Sequence, residues 1–315
     1  MSEEVQRRPL GSSGLEITPL VLGGNVFGWT ADRDASFAAL DAFVDGGGTM
    51  IDTADVYSAW APGHEGGESE TMIGEWLAQS GKRDRVQIAT KVGMMDGGLR
   101  PDRIASAIDA SLRRLQSDHV DLYFAHQDDQ SVPLAEVLGA FARLIEAGKV
   151  RAIGASNYGA LRLKEAIDTA AAGGLPHFSV LQPSYSLVTR SRFEGELQDL
   201  CIQHNIGVVP YAALAGGFLT GKYRSAEDLG QSVRGGSMTK LLEGRGPAVL
   251  AAIDAVVADT GATHAQVALA WLAAQPGVTA PIASATSRGQ LEELLGAMRL
   301  TLTDDQIAHL DAAGG

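Results

Sequence analysis

The sequence predicts an α/β fold, a single (β/α)8 TIM barrel, and three observations carry that expectation. Eight short apolar runs alternate with helix-like stretches, and no break in composition divides residues 1–315 into more than one domain. The runs are apolar at nearly every residue, as strands buried on both faces are. A length of 315 residues is ordinary for one such barrel. An open, doubly wound sheet is the alternative that the same alternation allows.

The elements follow in order. "RPLGSSGLEITPL" carries a turn signal at Ser13-Gly14 and predicts a small hairpin across the barrel floor. The strand candidates are "ITPLVLGG", "TMIDTAD", "VQIATKVG", "VDLYFAHQ", "VRAIGASN", "SVLQPSY", "GVVPYAAL" and "VTAPIASA". Between them lie "SFAALDAFVDGG", "ESETMIGEWLAQS", "PDRIASAIDASLRRL", "PLAEVLGAFARLIEAGK", "ALRLKEAIDTAAA", "FEGELQDLCIQHN" and "HAQVALAWLAAQ". Their apolar residues recur at three- and four-residue steps, as amphipathic helices require. Two stretches lack a regular pattern, residues 58–67 and the long segment 215–247 after the seventh strand candidate. Loops of that length in a compact domain are commonly lids or binding loops.

Composition narrows the function. Apolar residues make up 45% and charged residues 20%, the proportions of a core-forming globular chain. The net charge is −13 and no dense Lys/Arg run occurs, which argues against a nucleic-acid partner. An anionic cofactor remains possible where a few local cations hold it. The single cysteine, Cys201, excludes an internal disulfide and any Cys-based metal cluster, and no metal site is expected. It sits in a helical pattern and reads as a small core residue. "MSEEVQRRPL" has no signal-peptide core, and no apolar run approaches about 18 residues, so a cytoplasmic protein without a membrane span is expected.

In a β/α barrel the C-terminal ends of the strands face the active-site mouth. The second candidate ends in Asp52 with Tyr57 just beyond, the third in Lys91, and the fourth in His126. The fifth gives Ser156 and Asn157, the sixth Gln182 and the seventh Tyr211. Singly, each is better explained as a turn former, a cap or a satisfied core group. Their convergence on one rim favours chemistry. A phenol has an ordinary pKa of about 10 and is a poor acid at neutral pH. A cation about 4 Å away stabilises the phenolate by roughly 4 kcal/mol at an effective dielectric of 20, or about three pK units. Lys91 can supply that cation, Asp52 can hold it, and His126 can orient a carbonyl toward Tyr57. Asp55 reads as a structural turn residue between the two.

Taken together, "IDTADVY", "IATKVG", "VDLYFAHQDD", "GKVRAIGASNY", "LQPSYSLVTR" and "PYAALAGGFLTGKY" resemble the aldo-keto reductases in order and spacing. The resemblance runs from "RPLGSSGLEITPLVLGG" to "SRGQLEELL". It implies a barrel that binds NADPH, or less often NADH, without a Rossmann domain, and reversibly reduces an aldehyde or ketone to an alcohol. Consistently, no G-x-G-x-x-G follows a strand. It implies Tyr57 as general acid, tuned by Lys91 and Asp52, with His126 positioning the carbonyl. Ser156, Asn157 and Gln182 match positions that hold the nicotinamide carboxamide, and Tyr211 the residue that stacks on its ring. Leu214, Gly217, Leu219 and Lys222 match the pyrophosphate loop, and Arg234 a further cation of that segment. Gly24 and Ser284 fall among cofactor-contacting positions. Thr286, Arg288, Gln290 and Glu293 match the segment around the adenosine, where a final helix would present its N-terminus to an anion.

The chain departs from the family pattern in five places. Gln-Asp-Asp follows His126 where the family often has x-Pro-Asp. "PYAALAG" replaces Tyr-Ser-Pro-Leu, Leu294 stands for a common Asn, and Gln290 for a frequent Arg. The segment after Tyr57 is long and carries Trp60, which with Phe27 and Trp29 would wall a pocket for a bulky apolar carbonyl. Two other functions compete, a barrel hydrolase and a cofactor-sensing regulatory subunit with slow turnover. "GASNY" is not a nucleophile elbow, because Tyr158 takes the place of the last glycine. Substrate identity, physiological direction and oligomeric state are not fixed by these residues.

Overall fold

A computed structural model of the chain describes residues 5–232 and 235–314. Strands β1 (Arg8–Pro9) and β2 (Glu16–Ile17) form an antiparallel hairpin, with Arg8 opposite Ile17. Eight parallel strands follow: β3 (Val21–Gly23), β4 (Met50–Asp52), β5 (Gln87–Val92), β6 (Val120–Ala125), β7 (Val150–Ser156), β8 (Val180–Gln182), β9 (Gly207–Val208) and β10 (Ile282–Ala283). From β3 to β9 each pairs with the next in sequence, and β10 pairs back onto β3 with Ile282 opposite Val21. The remaining gap is bridged by backbone hydrogen bonds from Thr279 N to Val208 O (2.8 Å) and from Ile282 N to Pro210 O (2.9 Å). The predicted barrel is therefore the observed one, and the open sheet is excluded.

Helices α1 (Arg33–Asp45), α2 (Glu68–Ser80), α3 (Pro101–Leu115), α4 (Leu134–Glu146), α5 (Ala160–Gly173) and α6 (Glu196–Gln203) follow β3 to β8 in turn. After β9 come α7 (Thr239–Glu243), α8 (Gly246–Thr260) and α9 (His264–Ala274), and after β10 come α10 (Arg288–Leu295) and α11 (Asp304–Gly314). Outward strand residues such as Ile88, Val92, Tyr123 and Ile153 pack with the inner faces of the helices in one large apolar cluster. Burying each such side chain contributes roughly 1.5–3 kcal/mol.

The barrel interior forms a separate cluster that fixes the site. Met50, Ala89, Leu122, Phe124, Ala152, Val180 and Val209 point inward, and Leu10, Leu15 and Ile17 of the hairpin plug the floor beneath them. Successive strand residues alternate faces. Two residues beyond Met50 is Asp52, beyond Ala89 is Lys91, and beyond Phe124 is His126. Likewise Ser156 lies two beyond Gly154, Gln182 beyond Val180 and Tyr211 beyond Val209. One period-two rule thus sends all six polar side chains into the mouth. Gly154 has to be glycine here, because a Cβ would lie 2.5 Å from the Phe124 ring that fills the interior.

Three differences from the sequence expectation concern the C-terminal third. Segment 215–247 is not an unstructured loop, since it folds into 3-10 turns at Ala215–Thr220, Ala226–Gln231 and Gly235–Met238 and then α7. Helix α8 begins at the very end of that segment, with Pro247 in its first turn. The helix at Arg288 is not the last one, because α11 follows it and packs on α8.

Candidate active site

Four side chains meet at the mouth of the barrel. Lys91 is fully buried, and its ammonium donates to Asp52 Oδ2 (2.7 Å), to the Thr53 carbonyl (2.6 Å) and to the Tyr57 hydroxyl (2.8 Å). Those three bonds use all three of its protons. The Tyr57 hydroxyl donates in turn to Asp52 Oδ2 at 3.1 Å, and Gln182 Nε2 donates to Asp52 Oδ1 at 2.8 Å. Asp52 thereby accepts on both oxygens, twice at Oδ2 and once at Oδ1. A buried ion pair holds only when its remaining hydrogen bonds are made, and here they are.

Electrostatics correct one part of the sequence argument. Lys91 was expected to draw the phenol pKa down, whereas the Tyr57 pKa lies well above 10, raised first by burial and then by the Asp52 charge and its hydrogen bond. The Asp52 carboxylate lies 3.1 Å from the phenol oxygen and the Lys91 ammonium 2.8 Å, so anion and cation stand side by side at the same oxygen. Burial lowers the Lys91 pKa, and Asp52 opposes that shift. Tyr57 therefore keeps its proton, as a proton donor must.

His126 packs edge-on against Tyr57, with ring centroids 6.0 Å apart. Burial, with a smaller contribution from the Lys91 charge, pushes its pKa down to about 2, so the imidazole is neutral. Among the described residues its Nδ1 is buried without a hydrogen-bond partner. A buried polar atom left without a partner is a cost that a polar contact would relieve.

Asn157 ties the rim together. Its φ of +61° is left-handed, a region that Asn tolerates better than most residues. Its amide nitrogen donates to the His126 carbonyl at 2.9 Å and to Ser156 Oγ at 3.2 Å. Its oxygen accepts from the Tyr211 hydroxyl at 2.8 Å, and Ser156 Oγ donates to the Gln182 carbonyl at 2.9 Å. Ser156, Asn157, Gln182 and Tyr211 are thus joined in one hydrogen-bonded group, with Gln182 also bonded to Asp52.

The remaining expected residues divide. Gly216 and Gly217 adopt φ of +67° and +98°, and a Cβ on Gly217 would sit 3.3 Å from Lys222 Cε. The tight turn thus brings the Lys222 ammonium against the backbone at Gly217, and no carboxylate among the described residues pairs with it. Leu214 accepts from Gly217 N and Leu219 N within the same turn, and Leu219 itself is buried. At α10, Ser287 caps the helix by accepting from Gln290 N, and Gln290 Oε1 accepts from Thr286 N and Oγ1. Arg288 is exposed and pairs with Glu292 at 2.7 Å, and the Glu293 carbonyl accepts from Gln266. Gly24 is confined by packing, since a Cβ would lie 2.8 Å from Ser69 Oγ and 3.0 Å from the Asp52 carbonyl. Ser284 Oγ donates to Asn25 Oδ1 at 2.5 Å across β10 and β3. Arg234 lies outside the described residues. A glycine turn with a cation beside it, unpaired among the described residues, suits a pyrophosphate, so these residues fit NAD(P)H.

Of the wall residues, Trp60 stands edge-on to Trp29 at 5.5 Å and to Tyr57 at 6.1 Å between centroids. Trp60 is half exposed. Phe27 is fully buried behind Gly24 and offers no surface to a substrate, which corrects its place in the expected pocket wall. Asp55 proves more than a turn former. It pairs with Arg103 at 2.9 Å, and burial with the nearby Glu70 charge raises its pKa to about 6. Two residues escaped the sequence argument. Thr53 acts through its backbone carbonyl, which no side-chain pattern signals. Asn25 follows the Gly-Gly at the end of β3, and the same strand-end rule would have found it.

Comparison with known proteins gives the family. The profile of the Aldo/keto reductase family matches residues 19–314, and the chain belongs to that family. It is 33% identical to the uncharacterized oxidoreductase YrpG of Bacillus subtilis, over 96% of this chain and 94% of that protein. It is 30% identical to norsolorinic acid reductase stcV of Emericella nidulans, over 95% of this chain and 79% of that one. Aldo-keto reductase yakc [NADP(+)] of Schizosaccharomyces pombe is 31% identical, over 90% of this chain and 83% of its own length. The chain is an enzyme of the oxidoreductase class, and the family's general activity is NAD(P)H-dependent carbonyl reduction. No helix among the described residues is long and apolar enough to cross a membrane.

Proposed function

We propose that the chain reduces an aldehyde or ketone with NADPH, Tyr57 serving as the general acid. The observation that carries this reading is the closed set of hydrogen bonds joining Asp52, Lys91 and Tyr57. A phenol has one proton. While the mouth is empty of carbonyl, that proton goes to Asp52; a carbonyl oxygen arriving near Tyr57 competes for it through rotation about the C–O bond. Lys91 keeps its own bond to the phenol oxygen, so it stabilises the charge that develops as the proton leaves. Neutral His126 presents a ring nitrogen to the same carbonyl and adds no cation that would repel Lys91.

NADPH, when bound, supplies the hydride. Ser156, Asn157 and Gln182 would orient its carboxamide, Tyr211 would cover one ring face, and Lys222 with the Gly216–Gly217 turn would meet the pyrophosphate. Gly24, Ser284, Arg234 and Glu293 complete the proposed cofactor contacts. Thr286 and Arg288 would read a 2′-phosphate, which supports NADPH over NADH, as does the cofactor in the name of the fission-yeast relative. The Trp29–Trp60 wall supports a bulky, apolar or aromatic carbonyl. The test is nicotinamide absorbance with a panel of carbonyls, for wild type and Tyr57→Phe. Consumption by wild type alone supports the reading; equal consumption by both removes Tyr57 from the acid role. Binding without consumption of any carbonyl would favour a sensing subunit.

A further inference from the structure

We infer that the barrel floor, at the end opposite Tyr57, carries a second ligand site for a small oxyanion of the phosphate and pyrophosphate class. A cavity of about 410 Å³ opens there beside the N-terminal ends of β4, β5, β6 and β7. Its lining includes Arg7, Arg83, Arg85, Arg151 and His119, against the carboxylates of Asp84 and Asp121. Four guanidiniums in one hollow are conspicuous in a chain of net charge −13.

Asp121 does not neutralise all of them. It is 1% exposed, and its Oδ2 accepts from Arg83 (2.9 Å) and from Ile88 N (2.8 Å), while its Oδ1 pairs with Arg151 Nη1 (2.9 Å). Arg83 is fully committed, for it also bonds Ser117 Oγ and the Val86 and His119 carbonyls. It is a structural cation. Arg85 and Arg151 differ, being 56% and 58% exposed. Arg85 has a carboxylate, Asp45, only at 3.9 Å, and Arg151 engages Asp121 through Nη1 alone among the described residues. Arg7 adds a third guanidinium to the lining, with no ion pair among the described residues.

His119 supplies the second observation. Its Nδ1 is 2.6 Å from Asp118 Oδ1, while its Nε2 is buried without a hydrogen-bond partner among the described residues and lies 4.0 Å from Asp121 Oδ1. An anion in the cavity would lie against the exposed Arg85 and Arg151 and the His119 ring, all of which line it. Planar guanidinium forks bind phosphate oxygens in pairs, and several cations together favour an anion of two or more charges. A hollow of this volume falls in the range of small-molecule sites.

The competing explanation is a salt-bridge network that only stabilises the floor. Pyrophosphate titration by calorimetry separates the two, using wild type, Arg85→Glu and Lys222→Ala. Arg85→Glu leaves both arginine partners of Asp121 in place, and an unchanged melting curve would show that it folds. Saturable binding to wild type and Lys222→Ala, weakened about tenfold or more in Arg85→Glu, is the expected result. No saturable binding to wild type would overturn the site. So would binding that survives Arg85→Glu, or that Lys222→Ala alone abolishes, because the ion would then sit in the pyrophosphate turn. Arg151→Gln gives a second check, with the same loss expected and unchanged affinity overturning the proposal.

Discussion

The Lys91 ammonium donates to the Tyr57 hydroxyl across 2.8 Å while facing the ring of the same tyrosine at 4.5 Å from its centroid. Lys91 has no other place to put its third proton. Tyr57→Phe removes the oxygen, and with it the acid, without emptying the pocket. The expected loss in kcat is about 10²–10⁴-fold. Cofactor affinity should stay within about twofold on the same argument, since the change is confined to the proton donor. Stopped-flow turnover beside a fluorescence titration of NADPH checks both.

Asp52 and Lys91 are a fully buried pair, so removing one partner leaves an uncompensated charge. Asp52→Asn or Lys91→Met should each destabilise the fold by roughly 3–5 kcal/mol. The double variant should be less destabilised than the sum of the two. Urea unfolding of all four proteins measures the coupling, and simple additivity would mean the pair does not act as a unit.

His126 predicts a pH dependence with a definite sign. Its folded pKa is about 2 against an ordinary value of 6.5, so the unfolded chain binds a proton that the folded chain refuses. Stability from this group is complete above the unfolded value and falls as the pH drops below it, by up to about 1.4 kcal/mol per pH unit. Between pH 7.5 and 5.5 the wild type should lose roughly 1.4 kcal/mol more than His126→Asn does. Denaturant midpoints at the two pH values decide it.

Trp60 touches Tyr57 and Trp29 edge-on, and such ring contacts contribute about 0.5–1.5 kcal/mol beyond burial. Trp60→Ala should lower kcat/KM for aromatic aldehydes by up to about tenfold and spare short aliphatic ones. An equal fall across both groups would point to a general disturbance of Tyr57 instead.

Among the described residues Arg288 is held only by an exposed pair with Glu292, which a 2′-phosphate would displace readily. Arg288→Ala should raise the KM for NADPH by about tenfold and leave that for NADH nearly unchanged. Parallel changes for the two nucleotides would place the 2′-phosphate elsewhere.

Much of this arrangement was legible in the sequence because strands alternate. Once "TMIDTAD", "IATKVG" and "LYFAHQ" read as strands, parity alone directs Asp52, Lys91 and His126 inward. Other parts were hidden for physical reasons. Helix α8 is apolar over most of its length, so no polar face marks it, and its Pro247 reads equally as the end of a loop. The direction of the Tyr57 shift depends first on burial and then on the Asp52 charge, neither of which spacing along the chain encodes. Phe27 sits one turn from the mouth, and only three-dimensional packing shows it turned into the core. Asp121 and its arginines come from three separate strands and turns, so their meeting is a product of closure rather than of any motif.

The Asn157 amide ties the end of its own strand β7 to the His126 carbonyl after β6 and to Tyr211 after β9 through one side chain. The rim is consequently not modular. Transplanting the segment after β9 from another barrel would bring a new cofactor grip only if it also returned a hydroxyl to the place of Tyr211. Without it the Asn157 oxygen loses its donor, and a change intended for nucleotide preference would be felt at His126. Recombination among such barrels should therefore succeed when β7 and the segment after β9 travel together, and fail when they are exchanged apart.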